Sequence, residues 1–539
     1  MRSTQETDKR SFLRKPNSRL LPLGILLVAG FCIRLYGIGE PPMDVSGMRQ
    51  YHSALLARGF YEWLLTGNLK TMPPDGIIEP PVLDFLASLA YAITGGEHLW
   101  ISRLLSATFW MVGGVFLYLI ARKLVSSNAA FFSVGFYLFV PAAVLLSRAF
   151  MPDPLMIMML IISVFTILRY HERATTGRLV VAAAASSVAL FVKPGICLFQ
   201  IFGAFVALMV YRKGSIRALF SLHLLVFAVL TLIPMGLYYA WFLQETANRI
   251  EPEQWVTLNF WRGWLWQIGY MVGYVAFVGA LLGVLLSRPG SPRALTAGLW
   301  GGYFLFGLVF ARHVHTHDYY SLQLIPVVAL SLGSLWDSLA RIRWGETSGR
   351  FLRVIIIGVL LLAVALSVVE HKETVLLIAR QGHGAAFPGK YVSNGTIADY
   401  ERRAEIYREA GEIVNHSPKT IVFAPDYGYS LAYHGRLDHG QFRYLSPESK
   451  TVRQDFAALY EENSLRYAIV IKRFAYYPRQ VDWGGRGKGH KGLRALLTRK
   501  FGVIAEDHSY IVFDVSETGA GKSKVAGRPA ASGNRSQRS

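Results

Sequence analysis

The stretch GEPPMDVSGMRQYHSALLARGFYEWLLTGNLKTMPPDGIIEPPV, residues 39–82, decides how the rest of the chain is read. It is a long polar loop placed directly after a first apolar run, with Asp44 near one end and Glu79 near the other. Between them Tyr51, Leu55, Leu56, Phe60 and Trp63 recur at helical spacing, which predicts a short amphipathic helix lying along a membrane surface. Asp44 stands just before that pattern, where a capping carboxylate belongs, so capping is the plain reading of this one residue. A carboxylate held at the mouth of a membrane protein is the sharper one.

Working outward, the 539-residue chain is 52% hydrophobic and only 17% charged. Apolar runs recur at 20–38, 102–121, 129–147, 154–169, 179–192, 195–211, 218–243, 267–286, 294–311, 319–336 and 352–370. Most are long enough to cross a hydrocarbon layer of roughly 30 Å; 154–169 and 179–192 need tilt or local thinning. The fold class expected is therefore a polytopic α-helical membrane protein of about 11 spans. Pro80–Gly96 is apolar but short and ends in Gly-Gly, so it is read as interfacial or re-entrant.

The formal net charge of +21 suggests a nucleic-acid partner only until its distribution is examined. Arg122 and Lys123, then Arg169, Arg173 and Arg178, then Arg212, Lys213 and Arg217 fall in alternate short loops. Arg288, Arg293, Arg341, Arg343, Arg350 and Arg353 continue the series, which is the pattern of cytoplasmic loops. With the basic segment 1–19 in the cytoplasm, the 39–82 loop, the Arg148–Pro154 turn, Lys193–Gly195, 244–266, the His313–Tyr320 loop and everything after residue 371 face outward. Cys32 and Cys197 sit inside apolar runs, which argues against a disulfide. The N-terminal basic segment leads into a full-length span rather than a cleavable signal.

Ionisable residues near a membrane are costly, and several gathered on one side suggest a site. The outward set is Asp44, Arg49, Glu79, Arg148, Asp153, Lys193, Arg312, His313, His315, His317 and Asp318. Each also has a plain structural reading. Asp153 can cap the span that Pro154 begins, and Lys193 can be an interface anchor. His313, His315 and His317 alternate as if extended with all three on one side, a loose metal pattern or a solvated loop, while Tyr319 and Tyr320 suit an aromatic belt.

The order and sidedness of these residues resemble the GT-C superfamily of membrane glycosyltransferases, in particular its bacterial branch related to protein O-mannosyltransferases and the lipid A aminoarabinose transferase. The resemblance covers about residues 20–336. It rests on Asp44 with Arg49 and Tyr51, Glu79-Pro80-Pro81, Arg103-Leu104-Leu105-Ser106, Asp153-Pro154-Leu155, Lys193-Pro194-Gly195 and His317-Asp318-Tyr319-Tyr320. It implies a multi-pass enzyme of the cell (inner) membrane, moving a monosaccharide from a polyprenyl-phosphate donor, undecaprenyl phosphate in a bacterium, to an acceptor on the outer face. It also implies Asp44 as base or its orienter, Glu79 and Asp153 as acidic companions, and Lys193 at the donor phosphate. Arg49, Arg148 and Arg312 are further phosphate candidates; His313, His315, His317, Asp318, Tyr319 and Tyr320 are candidates for substrate or metal.

Elementary chemistry points the same way. A lipid phosphate leaves without protonation, so transfer needs a base for the acceptor proton and cations for the developing charge. Asp44 and Lys193 meet that minimum. Retention would need a second, nucleophilic carboxylate, and Glu79 and Asp153 are available for it; inversion is what the resemblance implies. Glu79, Asp153 and the histidines could instead bind a divalent cation, Mg²⁺ or Mn²⁺ through oxygen or Zn²⁺ through histidine. A lipid or anion transporter is the second reading, with discontinuous spans as its mark.

After residue 371 the composition changes. Charged helical patterns at Ala398–Val414, from Thr451 and at Lys491–Phe501 alternate with apolar strands at Thr420–Asp426 and Arg466–Lys472, and a hairpin follows around Glu506–Ser509. This predicts an extracytoplasmic α/β domain over 371–515, beside a transmembrane domain over 20–370. Gly484, Gly485, Gly487 and Gly489 with Arg486, Lys488 and Lys491 form a basic loop, a connector or a contact for an anionic acceptor. Residues 516–539 cannot bury a core and are expected to be disordered.

Overall fold

The computed structural model describes residues 17–69, 79–193, 195–242, 251–341, 366, 369–370, 372, 397–424, 426–437, 443–445, 452–462, 465–472 and 496–516. The expected span at 352–370 falls almost wholly outside the described residues. So do the basic N-terminus, the glycine-rich loop at 484–491 and the tail from 517. Two compact units are present: Met1–Glu40 with Ile77–Tyr391, and Pro41–Gly76 with Val392–Ser539.

The first unit is helical. Helices Asn17–Leu35, Leu99–Leu124, Ser127–Phe139, Asp153–Glu172, Thr176–Val192, Leu198–Lys213, Leu222–Phe242, Ser291–Val309 and Leu324–Ala340 answer to the expected spans. The run at 129–147 is interrupted at Val140, where Pro141 opens a separate helix, Pro141–Leu146. The run at 267–286 breaks at Gly273, whose φ of 78° only glycine adopts freely, into Leu258–Val272 and Tyr274–Leu286 bent by 89°. Among the described residues three helices are long and apolar enough to cross a membrane, or four if the bent pair is one span, and five shorter apolar helices accompany them. The chain is a polytopic membrane protein. Pro80–Gly96 contains a short apolar helix, Val82–Thr94.

Hairpin geometry fixes one end of this bundle. Asp153–Glu172 has 20 residues and Thr176–Val192 has 17, and the two pack against each other across a short connection. At 1.5 Å per residue both run for roughly 25–30 Å, so the start of the first and the end of the second come together. Asp153 and Lys193 therefore share one end. Arg169, Glu172 and Arg178 occupy the other, where Lys123 pairs with Glu172.

The second unit is a five-stranded mixed sheet carrying helices. Its strands are β1 (Thr420–Phe423), β2 (Arg443–Tyr444), β3 (Tyr467–Ile471), β4 (Gly502–Glu506) and β5 (Tyr510–Asp514), in the order β2-β1-β3-β5-β4. β1 runs parallel to β2 and β3, while β5 is antiparallel to β3 and β4. Ile421 and Phe423, Ala468 and Val470, and Ile511 and Phe513 point to one face and build the core with Phe456, Leu465, Leu497 and Phe501. The α/β architecture and the hairpin agree with the sequence pattern; the short strand β2 and the helix Tyr429–His434 had no periodic signal.

The first loop groups with this unit. Its helix, Gly47–Thr66, buries Arg49, Gln50, Tyr51, His52, Leu56, Arg58 and Phe60, which is more than a surface-lying amphipathic helix would cover. Arg58 Nη1 donates to Tyr433 O at 3.0 Å and its guanidinium lies 4.1 Å over the Tyr433 ring. Tyr51 Oη and His434 Nε2 are 2.7 Å apart, and His52 packs edge-on against Tyr429. The domain boundary therefore runs through the loop, and not only after residue 371.

Candidate active site

At the Asp153 end of the helical unit, Lys193 Nζ lies 2.8 Å from each oxygen of Asp153. Lys193 is 1% exposed and Asp153 is fully buried. Glu79 Oε1 is 3.7 Å from the same nitrogen, and the rings of Tyr319 and Tyr320 lie 4.5 and 5.1 Å from it. Asp318, also buried, is within electrostatic reach of both Asp153 and Lys193. Its Oδ1 accepts from Tyr319 N at 2.8 Å, a local bond that fixes the turn presenting Tyr319 to the lysine.

Asp153 is the first residue of its helix, after Pro152 at the N-cap, and both of its carboxylate oxygens meet the lysine. Lys193 is likewise no snorkelling anchor, since its ammonium is buried between acids and aromatic rings. One ammonium among three carboxylates leaves the cluster acidic, and Lys193 occupies the place between Asp153 and Glu79 that a cation would take. Among the described residues no three His, Cys, Asp or Glu side chains are grouped so as to hold a metal ion.

The histidines do not form an extended row. Ala311–Val314 is a helical turn continued by His315 in the right-handed region. His315 Nδ1 meets Ala311 O at 2.6 Å, and His317 N donates to His313 O. Backbone bonding of this kind fans the side chains apart. His315 packs on Phe260, whereas His313 and His317 face each other at 6.1 Å and both touch Tyr320. Burial, then the neighbouring Arg312, hold His313 below the ordinary imidazole value, so it is neutral at pH 7.

Of the arginine candidates, Arg312 is largely exposed and reaches Glu251 at 3.5 Å. Arg148 is buried and donates to Tyr36 O. Arg103 donates to Gly37 O, Ile38 O and Glu40 O and also reaches Arg148 O, so these two arginines tie down the chain after the first span. Arg49 and Asp44 belong to the other unit, and Arg49 is buried in the first turn of Gly47–Thr66.

Asp44 is not a helix cap. The N-cap is Ser46, in the left-handed region at φ 44° and without a side-chain cap bond. Asp44 Oδ1 instead accepts from Val45 N at 3.0 Å and from Gln50 Nε2 at 3.3 Å. Gln50 escaped sequence reading because a neutral amide inside an amphipathic helix carries no charge signal. Gln200 was missed for the same reason: it is fully buried and bonds Gln323 O.

Residues 78–239 match the family described as dolichyl-phosphate-mannose-protein mannosyltransferase. The structure is similar to ArnT from Cupriavidus metallidurans, with a TM-score of 0.56 and 15% identity over 92% of this chain and 99% of that one, in its complex with undecaprenyl phosphate. The apo state of the same protein gives 0.55 and 16%, over 92% and 98%. Arabinofuranosyltransferase AftD from Mycobacteria gives 0.51 and 13%, over 92% of this chain and 40% of that one. No curated protein matches the chain. The chain shares the fold of these solved structures, in keeping with the resemblance drawn from the sequence.

Proposed function

We propose that the protein is a glycosyltransferase that moves a monosaccharide from a polyprenyl-phosphate donor to an acceptor hydroxyl on the outer face of the cell membrane, with inversion. The observation that carries this reading is the buried Lys193–Asp153 pair, flanked by Glu79 and Asp318, at one end of a GT-C bundle. The undecaprenyl phosphate bound to ArnT supports the choice of donor class.

The acceptor oxygen attacks the anomeric carbon as the bond from that carbon to the phosphate oxygen breaks. The phosphate leaves with the electron pair and needs no proton. An ammonium has three N–H groups, and the two directed at Asp153 leave one for a phosphate oxygen that displaces the more distant Glu79. Asp153 holds the lysine aimed in the absence of donor. Asp44, assigned as base by the resemblance, takes the acceptor proton.

The test is transfer of label from polyprenyl-phosphate sugars in membranes carrying the wild type, Lys193→Met or Asp44→Asn, with products fractionated into lipid, protein and polysaccharide. Transfer by the wild type that stalls in Lys193→Met supports the reading, and the labelled fraction names the acceptor class. No transfer from a broad donor panel overturns it. The bent pair Leu258–Val272 and Tyr274–Leu286 is a feature that a transporter would share, so uptake of the same donors into vesicles is measured alongside.

A further inference from the structure

The Asp44 turn is built around one side chain that sequence reading passed over. Gln50 is fully buried in the first turn of Gly47–Thr66, and its Nε2 faces back into the turn that precedes the helix. That nitrogen lies 2.7 Å from Val45 O, 3.3 Å from Asp44 Oδ1 and 3.4 Å from Pro42 O. A primary amide has two hydrogens, so the three acceptors share them and the amide pins both the backbone and the carboxylate. Val45 N supplies a second donor to the same Oδ1.

The turn needs such a pin. Ser46 holds a left-handed conformation that residues with a Cβ adopt only when their surroundings impose it. The bonds Arg49 N to Ser46 O and Gln50 N to Ser46 O close the turn onto the helix. The helix in turn is fixed by Tyr51 at His434 and by Arg58 at Tyr433, so Gln50 projects from a rigid element. Two donors converging on Oδ1 fix the plane of the carboxylate.

We infer that Gln50 is the positioning residue for Asp44: its amide holds the carboxylate in one orientation. The inference rests on Asp44 being the base. Gln50 acts through Asp44, whose Oδ1 its amide contacts, and through the backbone of the turn.

The test uses the full-length protein in membranes and the transfer assay above, read as pH–rate profiles for the wild type, Asp44→Asn, Gln50→Met and Gln50→Glu. Gln50→Met keeps shape and removes the donors. The expected result is a roughly 10- to 100-fold fall in kcat with little change in KM for the donor. Gln50→Glu sets two carboxylates against each other at neutral pH, yet a protonated glutamic acid regains one of the amide's two donors, enough to bond Asp44 Oδ1. Its transfer is therefore low at pH 8 and recovers as the pH is lowered, a signature that a purely structural role does not produce. A Gln50→Glu profile parallel to the wild type, with Asp44→Asn inactive, overturns the role of Gln50 alone. Wild-type transfer by Asp44→Asn overturns the assignment of the base. Failure of both Gln50 variants to fold, read by thermal unfolding, assigns Gln50 to the fold and also overturns the proposal.

Discussion

Lys193 and Asp153, 40 residues apart, form a buried pair in which one ammonium is 2.8 Å from both oxygens of one carboxylate. Two opposed helices of similar length bring the pair together. Burying two charges is expensive, and removing one partner leaves the other uncompensated at a cost of about 3–5 kcal/mol. Lys193→Met and Asp153→Leu should each lower the unfolding temperature of the purified protein strongly. The double variant should recover most of that loss, because an apolar pair of similar volume is often neutral in stability. Its transfer activity should stay at background. A double variant that is stable and also transfers sugar would remove Lys193 from the mechanism.

Glu79 separates two roles that the sequence left joined. It is 3.7 Å from Lys193, too far for a good hydrogen bond but close enough to compete with a donor phosphate for the same ammonium. If it competes, Glu79→Gln removes a like charge from the path of the phosphate. KM for the polyprenyl-phosphate donor should then fall about 3- to 10-fold, equivalent to about 0.7–1.4 kcal/mol, with kcat within twofold of the wild type. A fall in kcat with unchanged KM would make Glu79 an acidic participant in the chemistry instead.

Much of this was legible in the chain. Length, apolar runs and the alternation of Arg and Lys located the helices to within a few residues, because a bilayer imposes a length and a charge rule on every span. Proximity was less legible. Glu79, Asp153 and Lys193 could be gathered as outward-facing, but only the hairpin showed that Lys193 is spent on Asp153. The histidines misled because their alternation was read as an extended loop segment, whereas local i to i−4 bonding from Ala311 to His317 made a helical turn. The first loop misled in its partner. Its burial does not follow the expected apolar stripe: Arg49, Gln50, His52 and Arg58 are buried beside Tyr51, Leu56 and Phe60, and Arg58 and Tyr51 dock the helix on Tyr433 and His434, a long-range pairing that periodicity cannot express.

Close helix crossing gives a third prediction. Leu198–Lys213 and Ser291–Val309 approach until a Cβ on Gly203 would lie 2.2 Å from Gly298 O, and one on Gly298 would lie 2.3 Å from Gly203 O. Both obstacles are backbone, so neither can swing away, and small residues are what let membrane helices meet this closely. Gly203→Ala should force the helices apart and cost about 1–3 kcal/mol. Gly301→Ala on the same second helix, where a Cβ meets nothing within 4 Å, is the control and should be neutral. Equal thermal stability of the two variants would show that the crossing is looser than described.

The docked loop should also be sensitive to acid. Burial, followed by the charges of Arg408 and Arg58, pushes His434 down to about 3. In the unfolded chain an imidazole titrates near 6.5, so the folded state resists a proton that the unfolded state accepts. The contribution of neutral His434 is therefore complete above about pH 6.5 and is lost progressively as the pH falls from there toward 3. Between pH 6.5 and 5 the loss should amount to about 2 kcal/mol, at one tenfold factor per unit. Hydrogen exchange of peptides covering Gly47–Thr66 and Tyr429–His434, measured on the whole protein at the two pH values and corrected for intrinsic rates, reads this directly. His434→Gln keeps a partner for Tyr51 and cannot titrate, so it should flatten the dependence. An equally steep loss in His434→Gln would place the acid-sensitive group elsewhere in the unit.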